Sequence, residues 1–154
     1  MMKYQELKGD LFKMDRNKWA LAHCISADVT PTKNMNKGIA KIFRTTYPEM
    51  ASNIFKKLKV GSAIRYHVNG HTIYNLVTKE KVSQKAIDHY EKKYYSQLFQ
   101  ALESMRDQMI KNGEKFLAMP KIASGLDKGN WDKISDHIRN IFANTEITIY
   151  IKYL

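Results

Sequence analysis

The spacing of apolar and polar residues predicts strands and helices that alternate along the chain. Trp19–Ile25 is a continuous apolar run, which is typical of a strand buried on both faces. Apolar residues recur at helical spacing over Gly38–Tyr47, and Pro48 suits the first turn of another short helix. The segment Ala63–Thr78 is interrupted by Asn69-Gly70, a strong turn signal, so it is predicted to form a β-hairpin.

The remaining segments continue this alternation. Tyr4–Leu7 is predicted to be the first strand, and Glu146–Leu154, which alternates strictly, is predicted to be the last. A long helix is predicted to bury one face, formed by Ile87, Tyr90, Tyr94, Leu98, Leu102, Met105 and Met109. Together these elements predict an α/β fold with three α/β/α layers around a central mixed β-sheet, built as a single domain of residues 1–154.

Composition narrows the expected location. The first residues lack the long apolar run of a signal peptide, and no segment approaches the ~20 apolar residues of a membrane span. Cys24 is the only cysteine, so an internal disulfide cannot form. We therefore expect a cytoplasmic protein with no membrane association. Nothing in the pattern requires more than a monomer, so a monomer is expected.

The charge favours anionic partners. The formal net charge is +11, with 26 basic residues against 15 acidic ones. Such an excess suits nucleic acid, a nucleotide or a phosphorylated substrate. It also serves solubility alone, and the lysines are spread along the chain instead of forming a tail. Both interpretations remain open at this stage.

A loop of small residues is a candidate phosphate site. It lies between a short apolar strand beginning at Phe116 and a helix that Asn130 is predicted to cap. Ser124-Gly125 would let backbone approach a ligand closely, and the N–H groups near a helix start can bind phosphate. Glycine-containing turns between strands and helices are nevertheless common, so this pattern is not specific by itself.

Lys79 is a candidate nucleophile because it ends the strand Ile73–Thr78. Strand ends of such sheets face the ligand crevice, although a lysine there is more often simply solvated. A deprotonated lysine can attack an electrophilic carbon, and Asp127, if it lay opposite, could transfer protons or activate water. Asp10, in the turn after the first strand, could cap a backbone N–H or accept from an amino group of a ligand.

No metal site is predicted. His67 and His71 flank the hairpin turn, but no carboxylate or cysteine accompanies them at ligand spacing. We interpret them as cross-strand surface residues.

Six short blocks resemble those of macro domains. The resemblance covers nearly the full length and is strongest to the terminal ADP-ribose protein glycohydrolase branch. The blocks, in the family's order, are Lys8–Phe12, Leu21–Ser26, Gly38–Ala40, Asn75–Lys79, Met119-Pro120, and Gly125–Asp127 followed by Trp131.

This resemblance implies an ADP-ribose site. By analogy, Asp10 accepts from the adenine amino group with the Leu11 backbone beside it, and an aromatic near the C-terminus, Tyr153 or Tyr150, contacts adenine. The implied remaining ligand-binding residues are Ser26, Gly38 and Ile39 around the distal ribose, and Ser124, Gly125 and Leu126 at the diphosphate.

The resemblance also implies a reaction that needs no cofactor. The lysine matching Lys79 attacks the distal ribose and forms a transient adduct, which the aspartate matching Asp127 helps to resolve. The expected outcome is removal of ADP-ribose from acidic side chains of proteins or from DNA bases. Alternatives are an ADP-ribose 1''-phosphate phosphatase, an O-acyl-ADP-ribose deacylase and a non-catalytic ADP-ribose reader. A plain nucleic-acid binder is supported by charge but by no recognition motif.

The sequence departs from the family's pattern at two places. The distal loop, usually rich in glycine, is Asn34-Met35-Asn36-Lys37-Gly38 here and follows an insertion that contains Pro31. Ala123 stands where relatives often have glycine, and its methyl group is expected to tighten the turn without abolishing it.

Overall fold

A computed structural model describes residues 1–154 and contains six strands and four α-helices. The strands are β1 (Lys3–Lys8), β2 (Ala20–Ser26), β3 (Ser62–Val68), β4 (His71–Lys79), β5 (Phe116–Met119) and β6 (Thr148–Tyr153). The helices are α1 (Gly38–Thr46), α2 (Met50–Ile54), α3 (Glu91–Lys111) and α4 (Trp131–Phe142). Short 3-10 turns occupy Leu11–Lys13, Phe55–Lys57 and Asp88–Tyr90.

The strands form one sheet in the order β1-β6-β5-β2-β4-β3. Every neighbouring pair is parallel except β3 and β4, which form the predicted antiparallel hairpin around Asn69-Gly70. The carboxyl ends of β1, β6, β5, β2 and β4 therefore meet along the same edge. In open sheets of this kind, that edge is where ligands bind.

Helices cover both faces of the sheet, which confirms the predicted three layers. Alternate residues of β2 enter different cores: Ala20 and Ala22 pack with α3 and α4, whereas Leu21 and Ile25 pack with α1 and α2. Because both faces are buried, β2 shows a continuous apolar run instead of the alternation of a half-exposed strand.

The long helix begins later than its apolar spacing predicts. Ile87 and Tyr90 were expected on the buried face of this helix, but both precede it. Ile87 is 37% exposed, and Tyr90 is only half-buried in the 3-10 turn Asp88–Tyr90. Asp88 explains the difference, because its φ of 57° turns the backbone away from helical geometry before α3 begins. The predicted residues from Tyr94 to Met109 are buried as expected. None of the helices combines the length and the apolar character that crossing a membrane demands.

The two histidines beside the hairpin turn do not face each other. His67 is exposed and its Nδ1 lies 2.8 Å from the Thr72 hydroxyl, whereas the half-buried His71 reaches the Tyr47 hydroxyl at 3.1 Å. No group of three or more histidine, cysteine, aspartate or glutamate side chains is arranged to hold a metal ion.

His23 is fully buried in the middle of β2. Its Nε2 donates to the Asn75 side-chain oxygen at 2.6 Å, its ring stacks on Phe43 at 4.0 Å, and its Nδ1 has no hydrogen-bond partner. A second ring proton would therefore be buried without an acceptor. Burial accordingly lowers the pKa of His23 from 6.5 to about 4, while the bond to Asn75 opposes this shift.

The buried histidine predicts a loss of stability in mild acid. His23 is protonated below about pH 6.5 in the unfolded chain but only below about pH 4 in the folded protein. The free energy of unfolding therefore decreases as the pH drops through this window. We expect the free energy of unfolding in urea to be about 2 kcal/mol lower at pH 5 than at pH 7.5. His23→Gln should lose this difference and His89→Gln, at an exposed position, should keep it. If the free energy of unfolding fell equally between pH 7.5 and pH 5 in the wild type and in both variants, His23 would not be the source of the pH dependence.

Candidate active site

The predicted site residues all lie at the carboxyl edge of the sheet. Asp10 and Leu11 follow β1, Ser26 ends β2, Gly38 and Ile39 begin α1, Lys79 ends β4, Ser124 to Asp127 follow β5, and Tyr153 ends β6. Residues far apart in sequence are brought together here because five parallel strands end at the same edge.

Lys79 and Asp127 form a direct, largely buried ion pair. The Lys79 Nζ donates to Asp127 Oδ1 at 2.6 Å and to the Val82 carbonyl at 2.8 Å. Their side chains are only 8% and 14% exposed. A buried ion pair costs several kcal/mol of desolvation per ion and often adds no net stability. Stability alone is therefore weak ground for its presence, and its position at the carboxyl edge makes it a candidate for binding or chemistry.

The second oxygen of Asp127 is held by a tyrosine that the sequence indicated only as a core residue. Tyr94, from α3, donates its hydroxyl to Asp127 Oδ2, and Thr78 of β4 donates to the Tyr94 oxygen at 3.4 Å. Burial raises the pKa of the Tyr94 hydroxyl far above its usual range, with Cys24 and Asp127 adding to the shift. Tyr94 is therefore a permanent donor to the carboxylate.

Cys24, on β2, faces the same ion pair but is not a nucleophile. Burial raises the pKa of its thiol well above the ordinary value, and the nearby Asp127 carboxylate raises it further, while Lys79 opposes both. Because the thiolate is the reactive form, Cys24 remains an inert thiol in this environment.

Asp28 connects the loops after β2 and β4 beside Lys79 and was not singled out from the sequence. Its carboxylate accepts from the Ser26 hydroxyl and from the Val82 N–H at 3.1 Å, and its carbonyl accepts from the Asn34 amide at 2.8 Å. Through Val82 it fixes the carbonyl to which Lys79 donates. The spacing of Ser26 and Asp28 is that of a local polar turn, which is the one signal the sequence offered.

Ser26 and Gly38 occupy different parts of the predicted ribose region. Ser26 pairs with Lys79 in the sheet register, but its hydroxyl is already engaged by Asp28. Gly38 has a φ of 59°, and a methyl group there would lie 3.3 Å from Leu126 Cδ1. The loop before α1 and the loop after β5 therefore touch at this point.

The loop after β5 offers free backbone donors. Bonds within it run from Lys128 N to the Gly125 carbonyl at 3.0 Å and from Gly129 N to the Ala123 carbonyl at 2.7 Å. The N–H groups of Gly125 and Leu126 have no acceptor within the chain. Consecutive N–H groups of this kind form an anion-binding concavity.

The fold does not require glycine at position 125. Its φ lies outside the left-handed region, and a methyl group added to it would meet nothing within 4 Å. Gly129 is different, because a methyl group there would lie 2.5 Å from the Ala123 carbonyl oxygen. A glycine that neither the backbone geometry nor the packing requires fits close approach by a ligand.

The β1–β6 end of the edge holds the predicted adenine-binding residues. Asp10 Oδ1 accepts from the Phe12 N–H at 2.9 Å, so the turn-cap interpretation is confirmed. Tyr153 is 38% exposed and lies under the Lys121 ammonium group, whereas Tyr150 packs against Trp19 with ring centroids 4.5 Å apart. Of the two tyrosines, Tyr153 therefore lies at the edge, whereas Tyr150 is half-buried against the core.

The edge has the length and the charge for an elongated anion. From β1 to β4 it crosses four strand spacings, or roughly 19 Å. Three lysines lie along this edge of the sheet. Lys85 donates to the Leu126 carbonyl at 2.7 Å, Lys121 lies over the Tyr153 ring, and Lys152 lies next to Gly9. These positive charges line the path between Asp10 and Lys79.

Comparison with known proteins agrees with this arrangement. The chain is 34% identical over 145 residues to the human ADP-ribose glycohydrolase OARD1 and 33% identical to the protein of the same name from Bos taurus. Both alignments cover 94% of this chain and 88% of the relative. No family profile matches the chain.

Solved structures with low sequence identity share the fold. The macrodomain of Thermus aquaticus DarG superposes with a TM-score of 0.79 at 16% identity, covering 100% of this chain and 99% of that one. The macrodomain of Mycobacterium tuberculosis DarG gives 0.77 at 20% identity, covering 99% and 97%. The Thermosipho africanus DarTG in complex with ADP-ribose gives 0.79 at 17% identity, covering 97% of this chain and 41% of that one.

The fold, a three-layer α/β/α structure with its site at the carboxyl edge, is that of a macro domain. With the identity to OARD1 over nearly the whole length, the chain belongs to the macro-domain family, in the group of the ADP-ribose glycohydrolases.

Ala123 adopts a strained conformation in the loop that follows β5. Its φ is 61°, in the left-handed region that costs a residue with a side chain about 1 kcal/mol or more relative to glycine. Ala123→Gly is therefore expected to raise the free energy of unfolding by about 0.5–1 kcal/mol in urea titrations. Ala143→Gly, at an exposed position with a φ of −54°, is the matched control and should lower it. If Ala123→Gly lowered the free energy of unfolding as Ala143→Gly does, glycine would not relieve the backbone strain at position 123.

Proposed function

We propose that this chain is a hydrolase that removes ADP-ribose from modified acidic side chains of proteins or from DNA bases. The observation that carries the proposal is the buried Lys79–Asp127 pair at the carboxyl edge, beside a loop with unpaired N–H donors. Binding alone would not need a buried amine and carboxylate in contact. The name of the human relative, an ADP-ribose glycohydrolase, supports the same conclusion.

ADP-ribose would lie along the edge in the order of its parts. Asp10, the Leu11 backbone and Tyr153 would receive the adenine, while the Gly125 and Leu126 N–H groups would receive the diphosphate. Ser124 would shape this loop, because its N–H and its hydroxyl both donate to the Lys121 carbonyl, at 3.4 and 2.6 Å. The distal ribose would then lie against Ser26, Gly38 and Ile39, next to Lys79. The positions of these residues along the sheet edge support this order.

The first chemical step would form a bond between Lys79 and the sugar. A proton passes from Nζ to Asp127 Oδ1 along their 2.6 Å hydrogen bond. The amine nitrogen then bonds to the anomeric carbon of the distal ribose, and the bond from that carbon to the acceptor breaks. Its electron pair leaves with the acceptor, which takes the proton from Asp127.

The second step would release the sugar by hydrolysis. Asp127, again a carboxylate, takes a proton from water as the water oxygen bonds to the anomeric carbon. The carbon–nitrogen bond breaks, its electrons return to Lys79, and the proton moves from Asp127 to the amine. The ion pair is restored, and the sum of the two steps is hydrolysis.

Other activities of the same site remain as alternatives. An ADP-ribose 1''-phosphate phosphatase or an O-acyl-ADP-ribose deacylase would use the same binding edge, and a reader would bind without turnover. We further propose that residues 1–154 act as one macro domain and as a monomer in the cytoplasm, without a metal or cofactor. Nucleic acid is a partner that the net charge of +11 favours.

Loss of the amine should abolish turnover. We expect Lys79→Ala and Lys79→Arg each to lower kcat on ADP-ribosylated protein or DNA about a thousandfold. Lys79→Arg is the sharper variant, because arginine can keep the charge pair with Asp127 but cannot act as the nucleophile. The adduct exposes an imine when its ribose ring opens, so mass spectrometry after reduction of this imine should find ADP-ribose on Lys79 of the wild-type protein. Turnover by Lys79→Arg at the wild-type rate would disprove covalent catalysis.

Three parallel outcomes would separate the alternatives. Binding of ADP-ribose without turnover of any substrate by the wild-type protein would identify a reader. Release of inorganic phosphate from ADP-ribose 1''-phosphate, with ADP-ribosylated protein and DNA left intact, would identify a phosphatase. Cleavage of O-acyl-ADP-ribose alone would identify a deacylase.

Asp10 should contribute to affinity and not to chemistry. Asp10→Ala is expected to weaken ADP-ribose binding roughly tenfold or more, as loss of a hydrogen bond to a charged group does, with kcat nearly unchanged. Isothermal titration calorimetry measures the affinity. Asp10→Asn is the control, since its side-chain oxygen can still cap the Phe12 N–H. Full recovery of affinity in Asp10→Asn would attribute the loss to the turn and not to adenine.

A further inference from the structure

The Tyr94 hydroxyl lies behind the Lys79–Asp127 pair, shielded from solvent. Tyr94 lies on α3, is 2% exposed, and donates to Asp127 Oδ2, the oxygen that Lys79 does not use. The Asp127 backbone is fixed as well, because its carbonyl accepts from the Ala86 N–H at 2.8 Å. The carboxylate is therefore held from two sides independently of Lys79.

The proposed reaction makes unequal demands on the two carboxylate oxygens. Oδ1 must exchange partners, first receiving a proton from Lys79 and later one from water. During this exchange Lys79 is bonded to the sugar and has one hydrogen fewer to donate. Asp127 is mostly buried, so a carboxylate free to rotate would lose both its alignment and its solvation.

We propose that Tyr94 is the positioning residue of this site, holding Asp127 Oδ2 so that Oδ1 alone carries both proton transfers. The inference rests on the proposed hydrolase function. Thr78 assists, because its hydroxyl donates to the Tyr94 oxygen at 3.4 Å and leaves the Tyr94 proton directed at Asp127.

The surroundings of Asp127 define how pH should report this role. The titratable and charged groups that face it are Lys79 from β4, Tyr94 from α3 and Cys24 from β2, with Lys85 bonded to the neighbouring Leu126 carbonyl. Tyr94 donates to the charged form of the carboxylate and so favours it. Loss of this donor removes a hydrogen bond that stabilises the carboxylate, so the acidic limb of the pH–rate profile would move upward in its absence.

The chain contains a matched control at the opposite end of the sheet. The Tyr74 hydroxyl donates to Glu114 Oε1, while Arg65 Nη2 donates to Glu114 Oε2 at 2.8 Å. This group has the same composition of tyrosine, carboxylate and cation, and Tyr74 is fully buried. Tyr74→Phe therefore removes an equivalent hydroxyl without touching the site.

The test compares Tyr94→Phe with Tyr74→Phe on ADP-ribosylated protein and DNA. Tyr94→Phe is expected to lower kcat at least tenfold, change KM by less than twofold, and move the acidic limb upward by about one pH unit. ADP-ribose affinity by calorimetry should stay within twofold of the wild type. Tyr74→Phe should keep the wild-type kcat and pH profile, even if both variants lose stability in urea.

A milder variant covers the case in which Tyr94→Phe does not fold. Thr78→Val keeps the tyrosine but removes its donor, so a smaller shift of the acidic limb in the same direction is expected. Tyr94→Phe or Thr78→Val with the pH profile of Tyr74→Phe would overturn the inference. If Lys79→Arg has the kcat of the wild type, the proposed covalent mechanism is wrong. If Lys79→Arg loses activity but Tyr94→Phe keeps the wild-type kcat and pH profile, only the role of Tyr94 is wrong.

Discussion

The contact between the Lys79 ammonium group and the Asp127 carboxylate connects the parts of the molecule that form the site. Lys79 ends β4 and Asp127 lies 48 residues later in the loop after β5, on strands separated by β2. Each charge is removed from water, so each must be satisfied by protein groups. The Val82 carbonyl and the Tyr94 hydroxyl complete that set, and in doing so they tie two loops and α3 to the same point.

A buried group of this composition is not by itself an active site. The Tyr74–Glu114–Arg65 group repeats the chemistry at the other end of the sheet, with Arg65 27% and Glu114 16% exposed. What distinguishes the Lys79 group is its place at the carboxyl ends of the parallel strands, beside the free N–H groups of the loop after β5. Position relative to the sheet, more than residue type, separates a stabilising cluster from a candidate catalytic one.

The fold could be predicted because its local signals agree with its tertiary packing. The apolar run of β2, the Asn69-Gly70 turn and the Asn130 cap each indicate one structure, and each is found, Asn130 accepting from the Lys133 N–H at 3.2 Å. Ile87 was placed wrongly because helical spacing does not reveal the positive φ of Asp88.

The candidate site was predictable only where short motifs mark it. Lys79 and Asp127 end or follow strands, so topology could bring them together, and the structure does so. The role of Tyr94 was not predicted because this residue has the same spacing as the core residues of α3. Only the path of the loop after β5 brings the Asp127 carboxylate to its hydroxyl. Asp28 escaped because its partner Val82 lies on another strand connection.

The pairing of β1 with β6 has a consequence for the order in which the site is completed. Lys3 pairs with Thr148 and the Gly9 N–H donates to the Tyr153 carbonyl at 2.7 Å, so the earliest strand needs the latest one as its neighbour. β1 has no other neighbour in the sheet, so the end of the cleft beside Asp10 can form only once the segment up to Tyr153 has folded. Lys79 lies instead on a strand whose two partners, β2 and β3, both precede it in the chain.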